Sequence, residues 1–112
     1  MKILFALIAA HFLCDYPLQG DFIGKFKNRH VSMDKAFNAT SPIPWWHLMT
    51  AHAFIHAGAV LLITGNLYFA TFELFAHFLI DVLKCEGQTD INVDQILHIV
   101  CKVLYVGWVP LK

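Results

Sequence analysis

The sequence predicts an all-α protein, a bundle of four transmembrane helices that forms one domain over residues 1–112. Hydrophobic residues make up 58 % of the chain and charged residues 14 %, against about 45–50 % and about 25 % in soluble domains. The mean hydropathy is +0.59. Because a soluble domain of this size is mostly surface, it could not bury so many apolar side chains. The composition therefore favours a polytopic membrane protein over a soluble globular one.

Four apolar stretches define the predicted helices. A proline follows the first and the last stretch, at Pro17 and Pro110, where it ends or kinks a helix. The pair Gly65-Asn66 separates the second stretch from the third and makes these two helices antiparallel. Each helix is about 23–31 Å long, which is close to the roughly 30 Å of a hydrocarbon core. The predicted helices cover about residues 2–16, 44–64, 67–84 and 94–109.

The segment from Asp21 to Phe37 differs from the four helices in composition, because phenylalanine and methionine alternate there with basic residues. This pattern predicts an amphipathic segment that lies in the headgroup plane between the first and second helices. Gly24 and Asn28 disfavour a helix and leave a disordered basic loop as the alternative.

The basic residues also predict an orientation in the membrane. The connection between the first and second helices carries Lys25, Lys27, Arg29 and Lys35, whereas the turn between the second and third carries none. By the positive-inside rule, the two long loops are cytoplasmic and both termini lie outside. The predicted location is therefore an inner membrane, crossed several times. Eight Lys and Arg residues balance eight Asp and Glu residues, so no basic excess indicates nucleic-acid binding.

Every predicted helix carries ionisable side chains that are four residues apart. His11 and Asp15 form such a pair in the first helix, and Asp94 and His98 form one in the fourth. This spacing places both members of a pair on one helix face. Because consecutive helices run in opposite directions, the four faces meet at one level of the membrane, toward its cytoplasmic side. Charged groups inside a bilayer are costly, so we expect them to face the bundle interior and to have a function.

Imidazole and carboxylate groups are ligands that zinc, manganese and iron share, and no C-x-x-C pair competes with them. The sequence therefore predicts a divalent-metal site, with zinc as the first choice and manganese or iron as alternatives. Metal-binding four-helix bundles build such sites from pairs of residues on facing helices. The predicted metal ligands are His11, His52, His56, His77, Asp81, Asp94 and His98.

A metal site at this depth predicts an intramembrane enzyme, a hydrolase at the cytoplasmic interface. The metal would activate a water molecule and polarise the scissile bond. Asp15 is the predicted general base, and Lys84 is predicted to hold a phosphate or a developing oxyanion at the headgroup level. A lipid or isoprenoid phosphate is accordingly the expected substrate. Gln19 and Gln95 are expected to orient ligands or substrate from a second shell.

Two other functions remain open for the same residues. A row of histidines and carboxylates could relay protons or pass a divalent cation. The chain has no internal repeat, so transport would require a homo-oligomer. Alternatively, the polar groups could form a structural network in a non-catalytic membrane module that binds a partner protein. Uptake into liposomes distinguishes transport from hydrolysis, and folded variants that lose only the metal would exclude the module.

The chain resembles a family of small polytopic membrane proteins that occur in bacteria and their phages and are classified as a domain of unknown function. Four blocks carry the resemblance: H-x-x-x-D-Y-x-L-Q from His11, H-x-x-x-H from His52, H-x-x-x-D-x-x-K from His77 and D-Q-x-x-H from Asp94. The resemblance covers nearly the whole chain and supports the choice of residues, but it implies no particular activity. The layout is also distantly similar to that of membrane-embedded metal-dependent hydrolases.

Overall fold

The structure, a computed structural model, describes residues 2–31 and 43–108. Helices account for 81 % of these residues and no strand occurs among them, which confirms the all-α prediction. The elements are α1 (Lys2–Asp15), α2 (Gly20–Phe26), α3 (Trp45–Thr64), α4 (Leu67–Cys85) and α5 (Ile91–Trp108).

The four long helices form an up-and-down bundle. α1 packs on α3 and α5, and α4 packs on the same two helices, so α1 and α4 are diagonal neighbours. The contacts between α1 and α3 run antiparallel, since Leu7 clusters with Val60 and one turn later His11 lies against His56. The C-terminal end of α1 therefore lies level with the middle of α3.

A tight connection turns the chain between α3 and α4. α3 ends at Gly65, which adopts the left-handed conformation with φ of +66° and donates its backbone N–H to the carbonyl of Leu61. Glycine is favoured here because a Cβ makes this conformation costly. Asn66 then caps α4, as its side chain accepts hydrogen bonds from the backbone N–H groups of Tyr68 and Phe69. Gly65 thus ends α3, and Asn66 caps the start of α4.

The last helix begins earlier than the sequence pattern predicts. α5 starts at Ile91, three residues before the predicted start near residue 94. Asp90 explains the difference, because its Oδ1 accepts a hydrogen bond from the backbone N–H of Val93 at 2.8 Å and so caps the helix. Asp94 consequently lies in the first turn of α5, where the helix dipole favours its negative charge.

The segment that follows α1 lies partly inside the protein. α2 packs against α3, and Lys27 at its end is buried, with its Nζ 2.5 Å from Asp81 Oδ2. The predicted amphipathic segment therefore does not keep all of its basic residues on the surface, because Lys27 pairs with a buried carboxylate of α4. The rest of that prediction, including Met33, Lys35 and Phe37, lies outside the described residues.

An ion-pair cluster joins the chain after α2 to the end of α4. Arg29 and His30 both bind the carboxylate of Glu86. Two hydrogen bonds lower the pKa of Glu86 to about 2. The one from the Arg29 guanidinium has the larger effect, and the one from His30 the smaller. This cluster holds the short helix at the end of the bundle where the two longer connections meet.

The bundle has a polar interior and an apolar surface. Leu62 and Tyr68 are 88 % and 87 % exposed, and Phe5 and Phe75 are also largely exposed, whereas the carboxylates of the long helices and their histidines other than His47 are buried. One described helix, α3, is by itself long and apolar enough to cross a membrane. The crossing of a membrane by all four long helices stays a prediction.

Replacement of Gly65 by alanine should lower the free energy of unfolding by about 1–2 kcal/mol, because alanine is strained in the left-handed conformation. Gly58, in the middle of α3, is the matched control, since a Cβ there meets nothing within 4 Å and its φ is not positive. Gly58→Ala should raise stability by about 0.5–1 kcal/mol. Denaturant unfolding in detergent, followed by circular dichroism, measures both. Equal effects of the two substitutions would contradict the assigned turn.

Candidate metal centre

The core of the bundle is a cluster of histidine and aspartate side chains. Each long helix contributes two of them, four residues apart, so that both face the bundle axis. All are buried, and their ligand atoms fall into overlapping groups within 4.8 Å of one another. The cluster consists of His11 and Asp15 from α1, His52 and His56 from α3, His77 and Asp81 from α4, and Asp94 and His98 from α5.

One group has the donor set and the spacing of a zinc site. Asp15 Oδ1 lies 3.2 Å from Nε2 of His52, 2.9 Å from Nε2 of His56 and 3.9 Å from Nε2 of His77. Zinc holds four ligands tetrahedrally at about 2.0–2.1 Å, which places the ligand atoms roughly 3.3–3.4 Å apart. The observed separations bracket this value. The four residues could therefore hold a metal with only small side-chain movements.

These close approaches are poorly aligned as hydrogen bonds. Nε2 of His52, His56 and His77 each lacks a hydrogen-bond partner within the part of the chain that the structure describes, although Asp15 lies near all three. A buried polar atom left without a partner costs about 1–3 kcal/mol. A cation between these atoms would use the lone pairs that no proton satisfies. The unsatisfied nitrogens thus fit a metal ion better than a proton-linked network.

A second group lies beside the first. His98 Nε2 is 3.2 Å from Asp81 Oδ1 and 3.5 Å from Asp94 Oδ1, and Asp94 Oδ1 has no hydrogen-bond partner among the described residues. Asp81 links the two groups, because its Oδ2 lies 3.5 Å from Nε2 of both His52 and His77. The cluster therefore contains more donor atoms than one closed metal site requires.

The two glutamines named from the sequence lie beside these carboxylates. Gln95 Oε1 accepts a hydrogen bond from His11 Nε2 at 2.9 Å, and its Nε2 donates to Asp15 Oδ2 at 2.9 Å and to Asp94 Oδ2 at 3.2 Å. Gln19 donates to the backbone carbonyl of Asp15 at 3.1 Å. Gln95 is thus placed to orient Asp15, whose other oxygen faces the three histidines.

Two lysines approach the carboxylates of the cluster from one end of the bundle. Lys84 Nζ lies 3.4 Å from Asp94 Oδ2 and its side chain is 26 % exposed, so it stands at the rim. Lys27 is buried, donates to Asp81 Oδ2 at 2.5 Å and to Gln19 Oε1 at 2.6 Å. The sequence pattern indicates Lys84 as a site residue but not Lys27, whose spacing from other polar residues indicates only a basic surface segment.

A further polar group lies deeper in the bundle. Glu73 accepts hydrogen bonds from Lys102 Nζ and from the hydroxyl of Tyr105, both at 2.5 Å. Its Oε1 also lies 3.5 Å from His77 Nδ1. A carboxylate behind a metal-binding imidazole commonly fixes the orientation of the ring. The position of Lys102, four residues after His98, is the sequence signal that points to this group.

Asp15 and the two remaining histidines occupy different parts of the structure. Asp15, predicted as the general base, lies at the common neighbour position of three imidazoles, which is the position of a ligand. His47 is exposed on α3, away from the cluster. His30 binds Glu86 at the outer ion-pair cluster. Of the seven histidines in the sequence, these last two are the ones outside the core.

Comparison with known proteins places the chain in a family. No curated protein and no solved structure matches it significantly. A family model described as "Protein of unknown function (DUF3307)" matches residues 3–110, nearly the whole chain, which confirms the resemblance to a domain of unknown function. The chain therefore belongs to the DUF3307 family of proteins of unknown function.

Proposed function

We propose that the protein is a metal-dependent hydrolase that works at the cytoplasmic interface of an inner membrane. One observation carries the proposal: Asp15 Oδ1 and three imidazole Nε2 atoms converge in the bundle core without well-aligned hydrogen bonds between them. This donor set suits zinc first, and manganese or iron as alternatives. We assign the ligand positions to Asp15, His52, His56 and His77.

The distribution of apolar and charged residues supports a membrane location with several crossings. α4 and α5 have 19 and 18 residues, or about 27–29 Å of helix. Their charged residues Glu73, Asp81, Asp94 and Lys102 lower the mean hydropathy, but all four are buried in the bundle and would not meet lipid. The outer surface of the same helices is apolar. Such an arrangement is typical of polar groups inside a membrane protein.

The number of donor groups supports catalysis over a purely structural metal. Four protein ligands are enough for a structural zinc site, so catalysis with the proposed ligands requires water to take a fifth position, which zinc can adopt. Beside the proposed ligands lie His11, Asp81, Asp94 and His98, all buried. A structural site would not need these ionisable groups, and keeping them buried is costly.

The remaining groups have distinct roles in the proposed reaction. A metal held by Asp15, His52, His56 and His77 would act as a Lewis acid and would lower the pKa of a water molecule at a further coordination position. Asp94, whose Oδ1 has no hydrogen-bond partner among the described residues, replaces Asp15 as our choice of general base and accepts the proton of that water. Lys84 stands at the exposed rim, where it would hold an anionic group of the substrate. Gln95 keeps Asp15 and Asp94 in place through its two hydrogen bonds.

The apolar end of the bundle argues for an enzyme over a transport path. The polar residues extend from the cluster to Glu73 and Tyr105. Beyond them, Leu7 and Val60 pack against Tyr105 in a buried cluster, with Ile63 against it. Protons or metal ions that crossed the membrane would have to pass this apolar layer. The transport hypothesis therefore has no continuous polar route through the described residues.

Purified protein should contain about one equivalent of zinc or another transition metal, and His52→Ala should lose it, since one of four ligands is removed. His47→Ala is the matched control, because His47 lies on the same helix but is exposed. Asp15→Asn preserves side-chain shape and should weaken metal binding as well. Elemental analysis measures the metal, and circular dichroism verifies folding.

The metal content of the purified protein can also contradict the proposal. Wild-type protein without metal, even after reconstitution with zinc, manganese and iron, would exclude the metal-dependent hydrolase and direct attention to proton flux in liposomes. If folded His52→Ala retained the full metal content, His52 would not be a ligand.

Metal-loaded protein should hydrolyse a phosphate ester, and Asp94→Asn should abolish that activity while it retains the metal.

The proposed membrane topology places the two ends of the up-and-down bundle on opposite sides of the membrane. In a background with serine for all three cysteines, Tyr68→Cys near the α3–α4 turn should react with a membrane-impermeant maleimide in intact cells. Gln88→Cys, between α4 and α5, should react only after permeabilisation, since the two positions lie at opposite ends of α4. Both positions are exposed in the structure. Equal labelling of both from outside would contradict a membrane crossing by α4.

A further inference from the structure

The proposed metal centre holds more carboxylates than lysines before a metal binds. Asp15, Asp81 and Asp94 lie among the candidate ligands, and two lysines reach them. Lys27 Nζ is 2.5 Å from Asp81 Oδ2, and Lys84 Nζ is 3.4 Å from Asp94 Oδ2. With neutral imidazoles, as metal ligation requires, these five side chains have one net negative charge. When a divalent cation binds, the net charge of the cation and these five side chains becomes one positive.

A net positive charge in the bundle core requires a neighbouring anion, because an uncompensated buried charge is costly. Glu73 does not supply it, since Lys102 Nζ and the Tyr105 hydroxyl already bind its two oxygens. Glu86 is bound by Arg29 at the outer end of the bundle. The compensating charge is therefore expected to come from a ligand.

We infer that Lys27 and Lys84 form the binding site for a phosphoryl group of the substrate, next to the metal. The inference rests on the proposed function and names its substrate class. It also assigns a binding role to Lys27, on the short helix α2, which the sequence pattern presents only as part of a basic segment.

The surroundings of Lys27 support this role. Its ammonium group is held by Asp81 Oδ2 and by Gln19 Oε1 at 2.6 Å. The same Asp81 oxygen lies 3.5 Å from Nε2 of His52 and of His77. A single carboxylate oxygen, Asp81 Oδ2, therefore lies between Lys27 Nζ and two proposed metal ligands. The contacts with Asp81 and Gln19 use two of the three N–H groups of the Lys27 ammonium, which leaves a third N–H group to bind another oxyanion.

Lys84 approaches from the exposed side, and the carboxylates that the two lysines bind, Asp81 and Asp94, both lie within 3.5 Å of His98 Nε2. A tetrahedral phosphoryl group points its oxygens in different directions, so it can contact a metal and two ammonium groups at once. Lysine binds phosphate as a compact point charge. A second metal ion is disfavoured, because the two lysines already neutralise Asp81 and Asp94.

The test measures binding, not turnover, on purified protein that carries zinc. Inorganic phosphate is the probe in one arm, and phosphatidic acid in phosphatidylcholine nanodiscs is the probe in the other. Wild type should bind phosphate only when zinc is present. Lys84→Gln should weaken binding about tenfold or more, the value of a lost charged hydrogen bond, and should retain zinc. Lys84→Arg should restore binding.

Lys25→Ala is the control for charge alone, because Lys25 is exposed and lies two residues from Lys27; its affinity for phosphate should match wild type. Lys27→Gln should behave as Lys84→Gln does. Binding of both probes would show that the phosphoryl group suffices, and binding of phosphatidic acid alone would identify a lipid source. Zinc-loaded wild type that binds neither probe would overturn the inference and leave the metal centre standing. Protein that takes up no zinc would overturn both.

Discussion

The carboxylate of Asp15 is the group on which the interior of the bundle depends. A carboxylate buried among helices is costly unless every neighbouring element offers it a partner. Its Oδ1 faces imidazoles of α3 and α4, and its Oδ2 accepts a hydrogen bond from Gln95 of α5. All four long helices therefore meet at one side chain. A shift of any helix by one turn would separate it from this carboxylate, so the contact fixes the register of the bundle.

Two levels of the bundle have opposite chemistry. At the level of Asp15, imidazoles and carboxylates fill the interior. At the other end, Leu7, Val60 and Tyr105 form an apolar cluster. Small residues permit close approach of the helices between these levels, since Ala53 and Ala57 of α3 and Ala70 of α4 are buried. The polar level lies toward the end where Lys27 and Lys84 enter, which is why the proposed reaction is assigned to one interface.

The sequence predicts the helices and the eight core residues because both follow from short-range periodicity. Spacing of four places His52 with His56, and His77 with Asp81, on single faces, and Gly65 marks the tight turn directly. The position of Lys27 could not be predicted in this way. It depends on how α2 folds back on α3, a long-range contact that brings Lys27 to a residue 54 positions away. The contacts of Asp15 with imidazoles of two other helices also required the structure, because spacing within one helix does not show which helices pack against it.

The measurement that tests the central claim most directly is X-ray diffraction from crystals of the zinc-loaded protein, recorded on both sides of the zinc absorption edge. The account predicts an anomalous peak in the bundle core, about 2.0–2.1 Å from Asp15 Oδ1 and from Nε2 of His52, His56 and His77. A peak only at surface histidines such as His47, or no ordered zinc in the core of the folded bundle, would contradict it.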